Sequence, residues 1–419
     1  MVQQLAHSHA PSSDLDAPRP LPFRLGRYEV LEHLGRGGMA DLYRARTTDG
    51  RLAVIKEVLP ELARRSRYVE LLIAEAQLTG LLDHPNIVRV IGHGRRAQEG
   101  LPYIALEHVE GLDLRGLLRG CTKRRIALPI KHGLTVVSAV LRALHHAHQA
   151  RDDDGERLEV VHCDVSPSNV LLGFDGTVRL CDFGIAQSRV MPSVPNDTIQ
   201  GKAGYMSPEH ARGDELDARA DVFAAGIMLW ELLHGRRMRK NAGAMSLLAQ
   251  ARAAEVPVMV VRGLPDEAQL HAIVRRALEP ERDERYQTAG DMLRDLERYA
   301  TSAGLAGSES ELAVFLAESF PDEVEGQLAR RERLLAAEHL VIDETPSAPV
   351  VGRPSVASGP RRIQRRPPET SSLALETTGA SGVETDREPR RLTDLLFLAS
   401  LACAATLTLL SILRTLGVL

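Results

Sequence analysis

The sequence predicts an α+β protein built as two unequal lobes, a small sheet-rich one and then a larger helical one, followed by a membrane-spanning helix at the C-terminus. Three observations carry this expectation. Short β-type runs separated by Gly and Asp turn signals occupy residues 28–34, 41–45 and 52–58. Beyond about residue 129, apolar side chains recur at helical spacing, as in Leu134, Val137, Leu141, Leu144 and His148. Residues 395–413 (LLFLASLACAATLTLLSIL) form 19 positions without a charge, which as a helix cover about 28 Å of bilayer.

With 419 residues, the chain has room for two or three domains and a large core. The expected order is a disordered tail at 1–27, a folded body at 28–300, a helical appendage at 301–340, a disordered Pro/Ser/Arg-rich linker at 341–391 and the span at 395–413. Residues 1–22 hold no apolar stretch long enough for a signal peptide. Arg387, Arg390 and Arg391 precede the apolar run and only Arg414 follows it. The positive-inside rule therefore keeps the body in the cytoplasm and sends the C-terminus across the cell membrane in a single pass. Ala399 with Cys403, and Ser400 with Ala404, have the small-xxx-small spacing that lets two such helices approach as a homodimer. Lys plus Arg number 52 against 56 Asp plus Glu, a net charge of -4, so bulk electrostatics give no reason to expect nucleic acid as a partner. Cys121, Cys163, Cys181 and Cys403 lack Cys-x-x-Cys spacing and read as reduced thiols.

The chemistry gathers in the body. The first strand runs into Leu34-Gly35-Arg36-Gly37-Gly38-Met39-Ala40-Asp41-Leu42, where glycines let backbone N–H groups approach phosphate oxygens. Alone, such a hairpin is more often a simple turn, and the Lys-Ser/Thr of a P-loop is absent. The next apolar strand carries Ala53-Val54-Ile55-Lys56, whose ammonium leaves a hydrophobic stretch and needs an anion. On the following helix Glu75 shares the apolar face of Tyr68, Leu71, Leu72, Leu78 and Leu82. A carboxylate there is costly unless paired, which makes Lys56 its natural partner; a purely structural salt bridge is the other reading. Further on come His162-Cys163-Asp164-Val165-Ser166-Pro167-Ser168-Asn169, then Asp182-Phe183-Gly184 and Ser207-Pro208-Glu209. A hairpin at 170–172 and 178–181, turning at Asp175-Gly176, lets the first two of these loops face one cleft. His145, His146 and His148 look metal-like but lack a carboxylate at ligand spacing, and read as packing or surface residues.

These motifs, in this order over about 270 residues, resemble the protein kinase superfamily and in particular bacterial Ser/Thr kinases of eukaryotic type. The resemblance implies a two-lobed kinase-like fold and transfer of the γ-phosphate of ATP to Ser/Thr hydroxyls of proteins, autophosphorylation included, with Mg²⁺ or Mn²⁺. It implies that residues 34–42 and Ala53 line the nucleotide site and that Glu107 and Val109, flanking His108, present backbone groups to adenine. Lys56 and Glu75 would position phosphates, Asp164 would take the hydroxyl proton, and Asn169 with Asp182 would hold the metal. Asp221 and Arg285 match the family's buried supports. Phosphoryl transfer leaves the protein chiefly positioning and charge neutralisation, and oxygen ligands suit Mg²⁺.

Three positions depart from the pattern. Ala40 replaces the third glycine. Cys163 stands where many kinases carry Arg, so a phosphate on Ser188, Ser193 or Thr198 has one fewer partner to order it, and switching is not expected to depend chiefly on such a phosphate. Ser166 stands where Ser/Thr kinases usually have Lys; Lys202, in Gly201-Lys202-Ala203-Gly204-Tyr205, is expected to supply the missing charge, the other reading being a solvent-facing loop lysine. Ser166 is also the strongest feature for an alternative function, a pseudokinase scaffold with weak or no transfer. Joint retention of Lys56, Asp164, Asn169 and Asp182 favours catalysis.

Overall fold

The computed structural model describes residues 21–96, 100–152, 154–183, 203–239 and 243–336. Lys202, the linker expected at 341–391 and the span expected at 395–413 lie outside the described residues. Among the described residues no helix is long and apolar enough to cross a membrane.

The small lobe is an antiparallel sheet of β1 (Phe23–Leu25), β2 (Tyr28–Arg36), β3 (Ala40–Arg46), β4 (Leu52–Val58), β5 (Val90–Arg95) and β6 (Pro102–Glu107), in the order β1-β2-β3-β4-β6-β5. The folded body therefore begins before residue 28, inside the stretch expected as a tail. Phe23 and Leu25 are buried, and Arg24 between them is exposed; a period of two over three residues is too short to read without the partner strand that completes it. The helices α1 (Pro60–Ala63) and α2 (Ser66–Gly80) follow β4. Alternation along β4 sends Ala53 and Ile55 into a core with Phe23, Tyr28, Val30 and Tyr103. The other face carries Val58 onto Leu72 and Ala76 of α2. Lys56, two residues before Val58, thus points toward that helix.

The large lobe contains β7 (Gly111–Asp113), α3 (Leu114–Arg124), α4 (Ile130–His148), the hairpin β8 (Val170–Gly173) and β9 (Val178–Leu180), α5 (Pro208–Arg212), α6 (Ala218–His234), α7 (Ala244–Ala253), α8 (Glu267–Ala277) and α9 (Ala289–Ser302). Leu134, Val137, Leu141, Leu144 and His148 are all buried along α4. Helix α6 is apolar nearly all round, which is the pattern of a helix enclosed by others, and Trp230, about one turn before its end, is fully buried. Its N-terminus and that of α9 are capped by Asp217 and Thr288, whose side chains accept from Arg219 N and Asp291 N.

The stretch expected as an appendage forms α10 (Glu309–Ser319), started by a Ser308/Glu311 capping box, and α11 (Pro321–Ala336). Leu312, Leu316 and Phe320 are buried in the core of the large lobe, and Gly120 makes room for Phe320, whose ring would lie 2.4 Å from a Cβ there. Helix α11 then runs over to the small lobe. Glu323 pairs with Arg124 of α3 at 2.6 Å, Gln327 Nε2 donates to Gly111 O at 2.9 Å, and Arg331 pairs with Glu110 at 3.0 Å. Arg330 reaches Glu32 of β2 at 2.7 Å, and Arg46 of β3 donates to Leu335 O at 3.1 Å. The helix is a strap fastened to both lobes.

Candidate active site

Lys56 lies between two carboxylates, with Nζ 2.6 Å from Glu75 Oε1 and 3.1 Å from Asp182 Oδ1. The Glu75 side chain is 9% exposed and that of Asp182 45%, so the cluster has a buried end and an end open to the cleft. Burial opposes the Lys56 ammonium, but Asp182 and Glu75 outweigh it and hold the group above the ordinary lysine range. Burial pushes the Glu75 carboxyl up, with Lys56 pulling it back and Asp182 adding to the rise. The segment between α2 and β5 keeps Asp182 in reach by stitching to β9. Leu180 N donates to Asn86 O at 2.8 Å, Val88 N donates to Leu180 O at 2.9 Å, and the Asn86 amide donates to Val178 O at 2.8 Å.

The loop from His162 to Asn169 is hung on Asp221, the fourth residue after the cap of α6. That carboxylate accepts from His162 N at 2.7 Å and Cys163 N at 2.9 Å, and meets His148 Nε2 at 2.9 Å. Burial works against the charge, yet His148, His162 and these amides hold Asp221 below the usual carboxylate range. The strain is local: Cys163 has φ 62° and Asp182 φ 59°, left-handed conformations that non-glycine residues adopt only when their surroundings impose them. Asn169 Nδ2 donates to Asp164 O at 2.9 Å and to Asp164 Oδ2 at 3.0 Å, and Cys181 N donates to Asn169 O at 2.9 Å. Asp164, Asn169 and Asp182 are thereby brought side by side. His162 packs on Phe183 at 4.5 Å with Nε2 3.1 Å from Cys181 O, a structural position.

The Gly-rich hairpin joins β2 to β3. Gly37 N donates to Ala40 O at 2.8 Å, and a Cβ on Gly37 would sit 3.3 Å from that oxygen. Asp41 clips the hairpin shut by accepting from Arg36 at 3.1 and 3.2 Å, with His33 Nε2 at 3.0 Å. Leu42 is the register partner of Lys56, which sets the hairpin beside the ammonium. Leu34 and Gly38 are exposed, Met39 is half-buried, and Ala40 is buried. Glu107, His108 and Val109 are half-buried after β6. The Glu107 carboxylate is turned aside to Arg89 N at 2.9 Å and Arg179 at 3.2 Å.

One nucleotide-site expectation fails. Ala53 is wholly buried in the small-lobe core, on the face opposite Lys56, because residues three apart in a strand point to opposite sides. Val54 shares the Lys56 face. Lys202 lies outside the described residues. Ser166 is 1% exposed with Oγ 3.2 Å from Ser168 Oγ, a buried hydroxyl rather than a group in the cleft. His148, read from the sequence as a packing or surface residue on the apolar face of its helix, is buried, and its bond to Asp221 at 2.9 Å ties α4 to the catalytic loop, a pairing that helical periodicity alone does not reveal. The silent-scaffold alternative finds no support in this convergence.

Comparison with known proteins agrees with the geometry. The protein kinase domain model matches residues 28–294. Tyrosine-protein kinase MasK of Myxococcus xanthus is 37% identical over 313 residues, covering 73% of this chain and 48% of that protein. A probable serine/threonine-protein kinase of Streptomyces coelicolor, SCO3848, is 36% identical over 66% of this chain and 40% of its own. Serine/threonine-protein kinase PrkC of Bacillus subtilis is 32% identical over 65% of this chain and 40% of its own. The chain spans less than half the length of these curated relatives. With the cleft residues assembled and most of the body matched, the chain belongs to the protein kinase domain family.

Proposed function

We propose that this chain is a membrane-tethered protein kinase that transfers the γ-phosphate of ATP to Ser and Thr hydroxyls of proteins, itself among them. The observation that carries the reading is the single cleft where Lys56, held by Glu75, meets Asp182 beside the Asp164–Asn169 pair. Lys56 offers its ammonium to phosphate oxygens from a fixed position. Asp164, oriented by Asn169, accepts the substrate hydroxyl proton as the oxygen attacks phosphorus and the ADP oxygen leaves. The metal fits the residues present: a half-exposed carboxylate on Asp182 and an amide on Asn169 are oxygen donors, too few for a self-sufficient cage but suited to Mg²⁺ or Mn²⁺ completed by phosphate and water. When bound, such an ion neutralises phosphate charge. Residues 34–42 cradle the phosphates, with the Arg36–Asp41 clip fixing the hairpin. Backbone groups at Glu107 and Val109 meet the base.

Since Ser166 is buried, Lys202 is the candidate for charge near the transferred phosphoryl group. Its position in the sequence, shortly before Ala203, supports this. Membrane tethering rests on the uncharged run 395–413 and the arginines before it. A second reading, transfer to Tyr, is favoured by the similarity to the Myxococcus tyrosine-protein kinase. One experiment addresses both: full-length chain in detergent with γ-labelled ATP and Mg²⁺ or Mn²⁺, beside Asp164→Asn and Lys202→Met. Label entering the parent at Ser/Thr and lost in Asp164→Asn is the expected result, with Lys202→Met slowed. Label at Tyr selects the second reading, and no label in the parent overturns both.

A further inference from the structure

Helix α11 buries none of its side chains, and a helix of 16 residues without an apolar anchor is marginal on its own. It is held instead by a stripe of polar side chains four residues apart, Glu323, Gln327 and Arg331, which share one helix face. Glu323 fastens the stripe to Arg124 of α3. The other two converge on one short segment. Gln327 Nε2 donates to Gly111 O at 2.9 Å, and Arg331 Nη1 donates to Glu110 Oε2 at 3.0 Å. Both bonds end on the residues that directly follow Glu107, His108 and Val109.

Residues 110 and 111 are also fixed by the large lobe. Phe174 N donates to Glu110 O at 2.9 Å. Gly111 is the register partner of Gly173 in β8, and a Cβ on Gly111 would run into Leu172 O. The small-lobe end of the segment is tied as well, since Glu107 N donates to Arg89 O at 2.9 Å and Ala53 of β4 is the register partner of Glu107. His108 and Val109 lie between these ties. The Val109 carbonyl shares one planar peptide with Glu110 N, so whatever turns Glu110 turns that carbonyl. Gln327 and Arg331 therefore act, through Gly111 and Glu110, on the backbone groups assigned to the base.

We propose that Gln327 and Arg331 are positioning residues for the nucleotide base: by holding Gly111 O and the Glu110 carboxylate they set the Val109 backbone that meets adenine. This rests on the nucleotide reading above. The test uses the full-length chain in detergent with Mg²⁺ and a methylanthraniloyl-ATP probe, competed by ATP or by inorganic tripolyphosphate, beside KM for ATP and for myelin basic protein. Gln327→Ala with Arg331→Ala should weaken ATP about fivefold in Kd and in KM, and leave tripolyphosphate, which has no base, within about twofold. KM for the protein and the Trp230 unfolding transition should stay at the parent's values, and Arg331→Lys, which keeps the charge, should restore much of the affinity lost in Arg331→Ala. Parent-like ATP affinity in the double variant, or equal weakening of ATP and tripolyphosphate, overturns the proposal. Should the double variant fail to fold, Gln327→Glu, which sets a carboxylate against Gly111 O, decides: weakened ATP with unchanged tripolyphosphate supports the proposal, and parent-like ATP removes it. A parent that binds nucleotide but transfers no label strikes at the kinase reading, and the Kd comparison still decides this one; a parent that binds no nucleotide overturns both.

Discussion

The strap α11 is fastened to the small lobe by exposed charges, and that makes its contribution calculable. Consider reversing Arg330 and Arg331 together to Glu in the full chain. Arg330 is 52% exposed and faces Glu32 at 16%; Arg331 is 51% exposed and faces Glu110 at 24%. Pairs with one partner this open are worth about 0.2–1 kcal/mol each, and reversal substitutes a repulsion of similar size. Glu32 keeps Arg44 at 2.5 Å, which softens the first repulsion. The sum is about 1–3 kcal/mol, or roughly 2–8 °C in Tm for a domain of this kind. Its location is the sharper expectation. Trp230 is the chain's one tryptophan and sits in the large-lobe core, so its fluorescence should report an almost unmoved large-lobe transition while circular dichroism and limited proteolysis near residue 110 report an earlier small-lobe loosening. Salt at about 1 M should erase most of the difference, because exposed pairs are screened. An equal shift of the Trp230 signal, or a loss that persists in high salt, would refute the view that these charges fasten the lobes.

Two further expectations concern buried charge. Arg285 and Glu209 are each fully buried and joined by bonds of 2.6 and 2.8 Å. Replacing Glu209 by Gln should cost about 3–5 kcal/mol in urea unfolding, and Glu209→Leu with Arg285→Met together should cost less than the single change. The second concerns pH. Burial, helped by Arg44 and Arg331, lowers His108 to about 4. The unfolded chain takes up that proton near 6.5 and the folded chain only near 4, so unfolding is accompanied by proton uptake in between. Stability is then fully present above about 6.5 and falls as pH drops toward 4, by up to about 3 kcal/mol. His108→Gln should flatten this part of a stability-versus-pH curve, and an unchanged slope would rule the group out.

Most of the site was legible because each part obeys a local rule. Lys56 on an apolar strand and Glu75 on an apolar helix face advertise one another, since each is costly alone. Asp164, Asn169 and Asp182 sit on short loops around a hairpin whose turn residues are explicit. What escaped depends on three-dimensional pairing. Strand β1 is two buried residues completed by β2, and no window of the sequence contains that partnership. Ala53 was misplaced by counting residues along a motif where the alternation of β4 decides the face. Phe320 and Arg330 looked like parts of a separate helical unit, because their partners Gly120 and Glu32 lie some two to three hundred positions upstream.

The electrostatics of the cleft follow from the same accounting of charge. One ammonium between two carboxylates leaves a net negative charge, and it resides at Asp182, the exposed member. Bare triphosphate is repelled there, whereas a divalent cation held by Asp182 would supply positive charge to offset the phosphates. Ser166, at the position of the usual lysine, is a buried hydroxyl and adds no positive charge beside Asp164.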